Sequence, residues 1–229
     1  MKKYIIANWK SHKDLAQAAG WLNNFPTDDE SRRVLAPLEI VLAPSYPLLS
    51  VASLIINERR LPIKLAVQDL SPFGAGAYTG EVAVENLSGL NVEYVILGHS
   101  ERRRFLKETP QMIADKVKEA RRGDFTPILC MDKGDLSSQA NFMSTDDRAA
   151  CIVAYEPASA IGNGQAQDPS DLLSMRQAYA ADFATSPLLY GGSVNADNVK
   201  SYLEICDGVI VGTDSVDLRD FLDLLYAAV

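Results

Sequence analysis

Residues 95–103 read Val95-Ile96-Leu97-Gly98-His99-Ser100-Glu101-Arg102-Arg103. An apolar run stops at a glycine, a histidine follows, and Ser-Glu-Arg-Arg opens a helix. Val, Ile and Leu without polar alternation mark a strand buried on both faces, and such strands belong to parallel sheets. The histidine, one of two in the chain, stands where the strand hands over to a helix N-terminus. In a closed barrel of parallel strands, that rim is where chemistry is done.

The pattern repeats outward in both directions. Apolar runs of strand length lie at residues 4–9, 39–43, 63–68, 93–98, 126–131, 151–155, 187–191 and 208–212. Helical patterns separate them. Residues 14–25 are amphipathic with Asp14 as N-cap, and 47–60 align Leu48, Val51, Ala52 and Ile55. Thr109-Pro110 opens a helix that Gly123 closes, and Asp168-Pro169 opens one running to about residue 183. Residues 195–203 and 216–228 complete the set. The fifth interval is the weakest, since 136–141 and 144–149 together make at most a short helix. Eight strand–helix units without a linker predict an α/β fold, a single (β/α)8 barrel domain over residues 1–229 with a shortened fifth unit. A doubly wound open sheet competes, but no Gly-x-Gly-x-x-Gly follows the first strand.

Composition narrows the partners. The net charge of −8 and the absence of any basic run longer than Arg102-Arg103-Arg104 argue against nucleic acid. The apolar segment at residues 4–7 is too short for a secretory signal, and no run approaches membrane-spanning length. Cys130, Cys151 and Cys206 form an odd set without metal-ligand spacing, so they read as reduced, buried thiols in a cytoplasmic protein.

The strand ends then carry the chemistry. They place Asn8 and Lys10 after strand one, Gln68 and Asp69 after strand three, and His99 after strand four. Glu156 follows strand six, Gly191-Gly192-Ser193 strand seven, and Gly212-Thr213 strand eight. Each alone has an ordinary reading as a solvated charge, a structural histidine or a simple turn. Together they put a carboxylate base, an imidazole, a cation and two glycine-rich turns on one rim. Glycine turns let backbone N–H groups approach an anion, and a helix N-terminus adds favourable charge. The substrate read from this rim is a small phosphorylated compound. Trp9 reads as packing.

Seven stretches in order resemble the triosephosphate isomerase family over nearly the whole chain. They are Asn8-Trp9-Lys10, residues 74–82 (Gly-Ala-Gly-Ala-Tyr-Thr-Gly-Glu-Val), residues 98–103, Ala154-Tyr155-Glu156-Pro157, Ala160-Ile161-Gly162, residues 190–195 (Tyr-Gly-Gly-Ser-Val-Asn) and Val209-Ile210-Val211-Gly212. The resemblance implies a TIM barrel and interconversion of dihydroxyacetone phosphate and D-glyceraldehyde 3-phosphate through an enediolate, in glycolysis and gluconeogenesis, with no metal and no organic cofactor. It implies Glu156 as the base, His99 as a neutral imidazole that polarises the carbonyl, and Lys10 as the stabilising cation. Asn8 would be a neighbouring donor, and Glu101 would position Lys10 or join proton transfer. Arg102 and Glu108 match a pair that braces the loop. Gly162 would close over the phosphate, with Gly191, Gly192, Ser193, Gly212 and Thr213 at its base. Ile161 and Ile210 match positions that press apolar surface on the base. The family also implies a homo-oligomer, a homodimer above all, in which Phe73, Gly76, Tyr78 and Thr79 of the loop 73–80 enter the partner near its Lys10 and His99.

Three stretches depart from that family. Ala158-Ser159-Ala160 replaces a Val-Trp-Ala hinge, and Gln165-Ala166-Gln167 lacks a lysine. Gly212-Thr213-Asp214-Ser215 replaces Gly-Gly-Ala-Ser, so Thr213 restricts the backbone and Asp214 adds negative charge beside a dianion. The interval from Cys130 to Glu156 is short, with Met131-Asp132-Lys133-Gly134 where Gly-Glu is usual. Two other readings therefore stand: a weakened or substrate-shifted paralogue, and a non-catalytic phosphate-binding barrel. Retention of Lys10, His99 and Glu156 argues against the last.

Overall fold

Eight parallel strands close on themselves in sequence order. They are β1 (Lys3–Asn8), β2 (Leu38–Ala43), β3 (Ile63–Val67), β4 (Val92–Leu97), β5 (Thr126–Met131), β6 (Ile152–Tyr155), β7 (Leu188–Tyr190) and β8 (Gly208–Val211). The barrel closes where Tyr4 to Ala7 of β1 pair with Gly208 to Val211 of β8. This computed structural model describes residues 2–157 and 167–229. The hinge stretch 158–160, the residues Ile161 and Gly162, and the far-hinge residues 165 and 166 lie outside the described residues.

Strand periodicity of two builds two cores from one set of strands. Inward side chains such as Ile6, Val41, Ala66, Ile96, Ile128, Ala154, Leu189 and Ile210 fill the barrel interior. Their neighbours Ile5, Leu42, Leu65, Val95, Leu129, Val153 and Val209 face outward into the layer beneath the helices. Both sets are buried, which is why the strands read as continuous apolar runs.

The outer layer is α1 (Leu15–Asn23), α2 (Asp29–Leu35), α3 (Tyr46–Arg59), α4 (Ser100–Phe105), α5 (Pro110–Arg122), α6 (Leu136–Ala140), α7 (Thr145–Ala149), α8 (Pro169–Phe183), α9 (Val199–Ile205) and α10 (Leu218–Ala227). Asp14 caps α1 in a reciprocal box with Gln17, Thr109 caps α5 and Asp168 caps α8. The fifth interval holds two five-residue helices rather than one. Asp132 opens a short 3-10 turn ahead of α6, and Ser144 caps α7 separately. Helix α9 begins at Val199, not at residue 195. The Asn195 side chain accepts from the N–H groups of Asp197 and Asn198, which makes a turn of what read as the first helical turn. Helix α10 begins at Leu218 because residues 213–215 form a 3-10 turn of their own. Helix α2, capped by Asp28, had no counterpart in the sequence reading. Among the described residues no helix is long and apolar enough to cross a membrane.

Candidate active site

A cavity of about 280 Å³ opens at the C-terminal ends of the strands. Asn8, Lys10, His99, Glu156, Gly191, Gly192, Ser193, Gly212 and Thr213 all line it, together with Ile210 and Asp214. Glu101 stands just behind, bonded to Lys10. Most rim residues inferred from the sequence within the described residues are therefore at one mouth; Gln68, Asp69 and the loop 73–80 do not line it.

Lys10 is held at both of its backbone polar groups. Its φ is +50°, a left-handed conformation that L side chains avoid. The N–H donates to Asn8 Oδ1 at 3.1 Å, and the carbonyl accepts from Gln68 Nε2 at 2.8 Å. Because the Lys10 N–H is a donor, the Asn8 atom facing it is the carbonyl, and the Asn8 amide NH2 remains as a donor. The Lys10 ammonium bonds Glu101 Oε1 at 2.7 Å. Trp9, fully buried, donates from its indole to the Ser215 carbonyl and so ties the β1 exit to the β8 exit.

His99 caps α4 with its own ring. Nδ1 accepts from the Glu101 N–H at 3.3 Å. That contact selects the tautomer with its proton on Nε2, and Nε2 lies 3.1 Å from Glu156 Oε1. The other Glu156 oxygen, Oε2, accepts from the Ser100 N–H at 3.0 Å. Burial pulls the imidazole toward its neutral form, but the carboxylates of Glu156 and Glu101 outweigh burial and raise its pKa above the ordinary value. Burial likewise pushes Glu156 up, and His99, the Ser100 N–H and Lys10 pull it below the usual carboxylate range. The carboxylate against Nε2 favours the protonated ring, while the Glu101 N–H facing Nδ1 favours the neutral tautomer that the resemblance implies.

Gly98 precedes the histidine at φ +65°, and a β-carbon there would stand 2.7 Å from an Arg103 guanidinium nitrogen. Arg103 explains the steric demand. Its guanidinium donates to the carbonyls of Gly98 and Cys130 and to Gln139 Oε1. One half-buried cation thereby joins the β4 exit, the β5 exit and α6, anchoring the short fifth unit to the turn that carries His99. The sequence shows Arg103 only as part of a motif and does not mark Gln139. Their partners are distant in sequence, so no local signal marks them. The same holds for Tyr202, which stacks on Tyr190 with ring centroids 4.2 Å apart. Tyr190 accepts from the Gln167 N–H, and Tyr202 donates to the Gln167 carbonyl.

The glycine turns differ from expectation in one respect. No helix starts at Gly191-Gly192-Ser193, because α9 begins at Val199. Gly212 does open the 3-10 turn 213–215, in which Thr213 keeps a negative φ, so its side chain imposes no left-handed strain. Asp214 lines the cavity, and burial, with Asp220 nearby, raises its carboxyl pKa. Cys130, Cys151 and Cys206 are buried free thiols. Among the described residues no cluster of three His, Cys, Asp or Glu side chains is placed to hold a metal ion.

The loop 73–80 stands away from the cavity of its own chain. Phe73 and Tyr78 stack with centroids 4.4 Å apart, and both remain about half exposed, at 47% and 46%. Its base is fixed by Glu85, which accepts from the Ala75 N–H and pairs with Arg122 of α5.

Comparison with known proteins adds a family. A family model described as triosephosphate isomerase matches residues 3–228. The chain is 36% identical to the triosephosphate isomerase of Thermus thermophilus, with 100% of each chain covered. It is 34% identical to that of Polynucleobacter asymbioticus, covering 97% of this chain and 98% of the relative. It is 33% identical to that of Hahella chejuensis, covering 100% and 99%.

Proposed function

The chain belongs to the triosephosphate isomerase family, and from that premise we propose how its residues interconvert dihydroxyacetone phosphate and D-glyceraldehyde 3-phosphate. The observation that carries this reading is the cavity that gathers Lys10, His99 and Glu156, with the His99 and Glu156 side chains 3.1 Å apart.

Substrate enters with its phosphate toward the turns of Gly191, Gly192, Ser193, Gly212 and Thr213; the Gly191 N–H is held by the Tyr155 carbonyl, so the N–H groups that follow it in the two turns would meet the dianion. The Glu156 carboxylate leaves His99 and Ser100 and turns to the carbon beside the carbonyl. It removes a proton there, and the C–H electron pair becomes the carbon–carbon double bond of an enediolate. Removing the carboxylate from Nε2 also removes the larger of the two carboxylate effects that raise the His99 pKa. The ring, with Nδ1 still facing the Glu101 N–H, is then neutral with its proton on Nε2, poised to donate to the carbonyl oxygen. Protons pass between the two oxygens through His99, and Glu156 returns its proton to the neighbouring carbon. The Lys10 ammonium offsets the charge that develops on the oxygens, and the Asn8 amide adds a donor. Glu101 aligns Lys10. Ile210 borders the base and limits its contact with water.

We take residues 1–229 as one catalytic domain, acting as a homodimer. In the single chain the side chains of Lys10 and Glu101 are 29% and 41% exposed, an unusual openness for groups that stabilise charge in a dry site. A projecting loop with an apolar stack, carrying Phe73, Gly76, Tyr78 and Thr79, suits the task of covering them in a second copy. Three buried free thiols fit a reducing, cytoplasmic setting.

Isomerisation in D2O tests the route. A proton resting on Glu156 exchanges with solvent before it is returned in a fraction of turnovers, so deuterium at the carbon that receives the proton is expected and excludes direct hydride transfer between the carbons. A Glu156→Gln variant that still delivers deuterium there at the parent rate would overturn the assignment of Glu156 as base.

A further inference from the structure

Behind Lys10, outside the cavity, lie two carboxylates and two cations that the reaction does not use. Asp69 follows β3, Arg102 lies in α4, Glu108 precedes α5, and Lys116 is buried within α5. Arg102 bonds Asp69 Oδ2 at 2.6 Å through one nitrogen and Glu108 Oε1 at 2.7 Å through another. Lys116 Nζ bonds Asp69 Oδ1 at 2.7 Å and also Glu108. The charges balance, two against two, which is what permits Glu108 and Lys116 to be buried while Asp69 and Arg102 stay partly exposed.

The connectivity matters more than the balance. Gln68 holds the Lys10 carbonyl and the Ala43 carbonyl, and Asp69 is its neighbour in sequence. Glu101 holds the Lys10 ammonium, and Arg102 is its neighbour. The Asp69–Arg102 ion pair joins these two dipeptides. A closed path results: Lys10 carbonyl, Gln68, Asp69, Arg102, Glu101, Lys10 ammonium. It grips one side chain at both ends and bridges the exits of β3 and β4. Lys10 needs such a grip, because its backbone sits at φ +50° and its side chain is long and flexible.

We propose that Asp69 is a positioning residue for Lys10, acting through Arg102 to fix the Lys10 backbone and ammonium relative to each other. The inference rests on the reading that the Lys10 ammonium acts on the substrate. Lys116 and Glu108 set the pair: Lys116 orients the Asp69 carboxylate, and Glu108 takes the remaining face of Arg102.

The test is a double-variant cycle on the full chain, with Asp69→Ala, Asp69→Asn, Glu101→Gln, each Asp69 variant combined with Glu101→Gln, and Lys10→Met as reference. Steady-state kcat and KM and the thermal midpoint are read for each. Asp69→Ala is expected to lower kcat/KM about tenfold, with KM raised, beyond any loss of thermal stability. Asp69→Asn, which keeps one acceptor oxygen for Arg102, is expected to recover part of that loss. Asp69→Ala with Glu101→Gln is expected to lose less than the product of the separate losses, since both break one path. Unchanged kcat and KM in Asp69→Ala, or a combined loss equal to the product, overturns the proposal. Should Asp69→Ala not fold, Asp69→Asn with Glu101→Gln decides in the same way. A fully active Lys10→Met would instead overturn the role of Lys10 itself, and that outcome is separately visible.

Discussion

A β-carbon built on Gly191 stands 2.8 Å from Cγ of Glu156. The missing side chain at the end of β7 is therefore what lets the carboxylate stand at the end of β6. The same β-carbon would stand 2.7 Å from Ile210 Cγ2, so displacement toward β8 is closed as well. Gly191→Ala is expected to leave the barrel folded and to shift Glu156 by an appreciable fraction of an ångström. Misplacement of a reacting group on that scale lowers kcat by up to about a hundredfold. Steady-state kinetics check this, and an unchanged kcat would show that Glu156 does not need the space.

Position 191 also shows what the sequence discloses and what it hides. The eight apolar runs announce buried parallel strands because both faces of each strand are covered, and the residue after each run falls on the rim. Asn8, Lys10, His99, Glu156 and the two glycine turns were legible for that reason. The Asp69–Lys116 and Arg103–Gln139 contacts were not, because each joins charged or polar residues far apart in sequence whose types are ordinary on a surface. Helix α2 was missed because Asp29–Leu35 is short and rich in charge, with only Ser31 and Leu35 buried. The start of α9 was misplaced because Asn195 fits a helix cap and a turn equally well.

The resting His99–Glu156 pair sets a pH dependence of stability. Glu156 is depressed in the folded chain, so it contributes stability above the ordinary carboxylate range that is lost as pH falls through its folded pKa. His99 is raised, so it contributes stability that is complete below its ordinary pKa of about 6.5 and is lost as pH rises through its higher folded value. The difference in thermal midpoint between the parent chain and Glu156→Gln, whatever its sign at neutral pH, should favour the parent most in the acidic window between those limits. It should shrink on both sides. Scanning calorimetry from acid to alkaline pH measures it, and a difference independent of pH would contradict the pairing.

Asp214 faces the cavity where a dianion is expected. Its half-buried carboxylate repels the phosphate, so Asp214→Asn should lower KM by about two- to fivefold at low ionic strength, with kcat little changed. Added salt should narrow the gap, because it screens a partly exposed charge. An unchanged KM at low salt would mean that the phosphate binds out of reach of Asp214.

The half-exposed Phe73–Tyr78 stack predicts an assembly. Thr79→Arg places a cation in that loop, in what the dimer reading makes a partner's pocket, where it would be buried unpaired. The parent chain should sediment as a dimer and the variant as a monomer with reduced activity. A variant that remains dimeric would remove the loop from the interface.

On the proposed function, Glu156 moves the proton in triose phosphate isomerisation. The most direct measurement is a coupled assay of D-glyceraldehyde 3-phosphate isomerisation on the purified parent chain and on Glu156→Gln. Rapid turnover by the parent is expected, with a loss of about a thousandfold or more in the variant while the fold is kept. Turnover that survives Glu156→Gln, or a folded parent chain that fails to isomerise the substrate, would contradict the account.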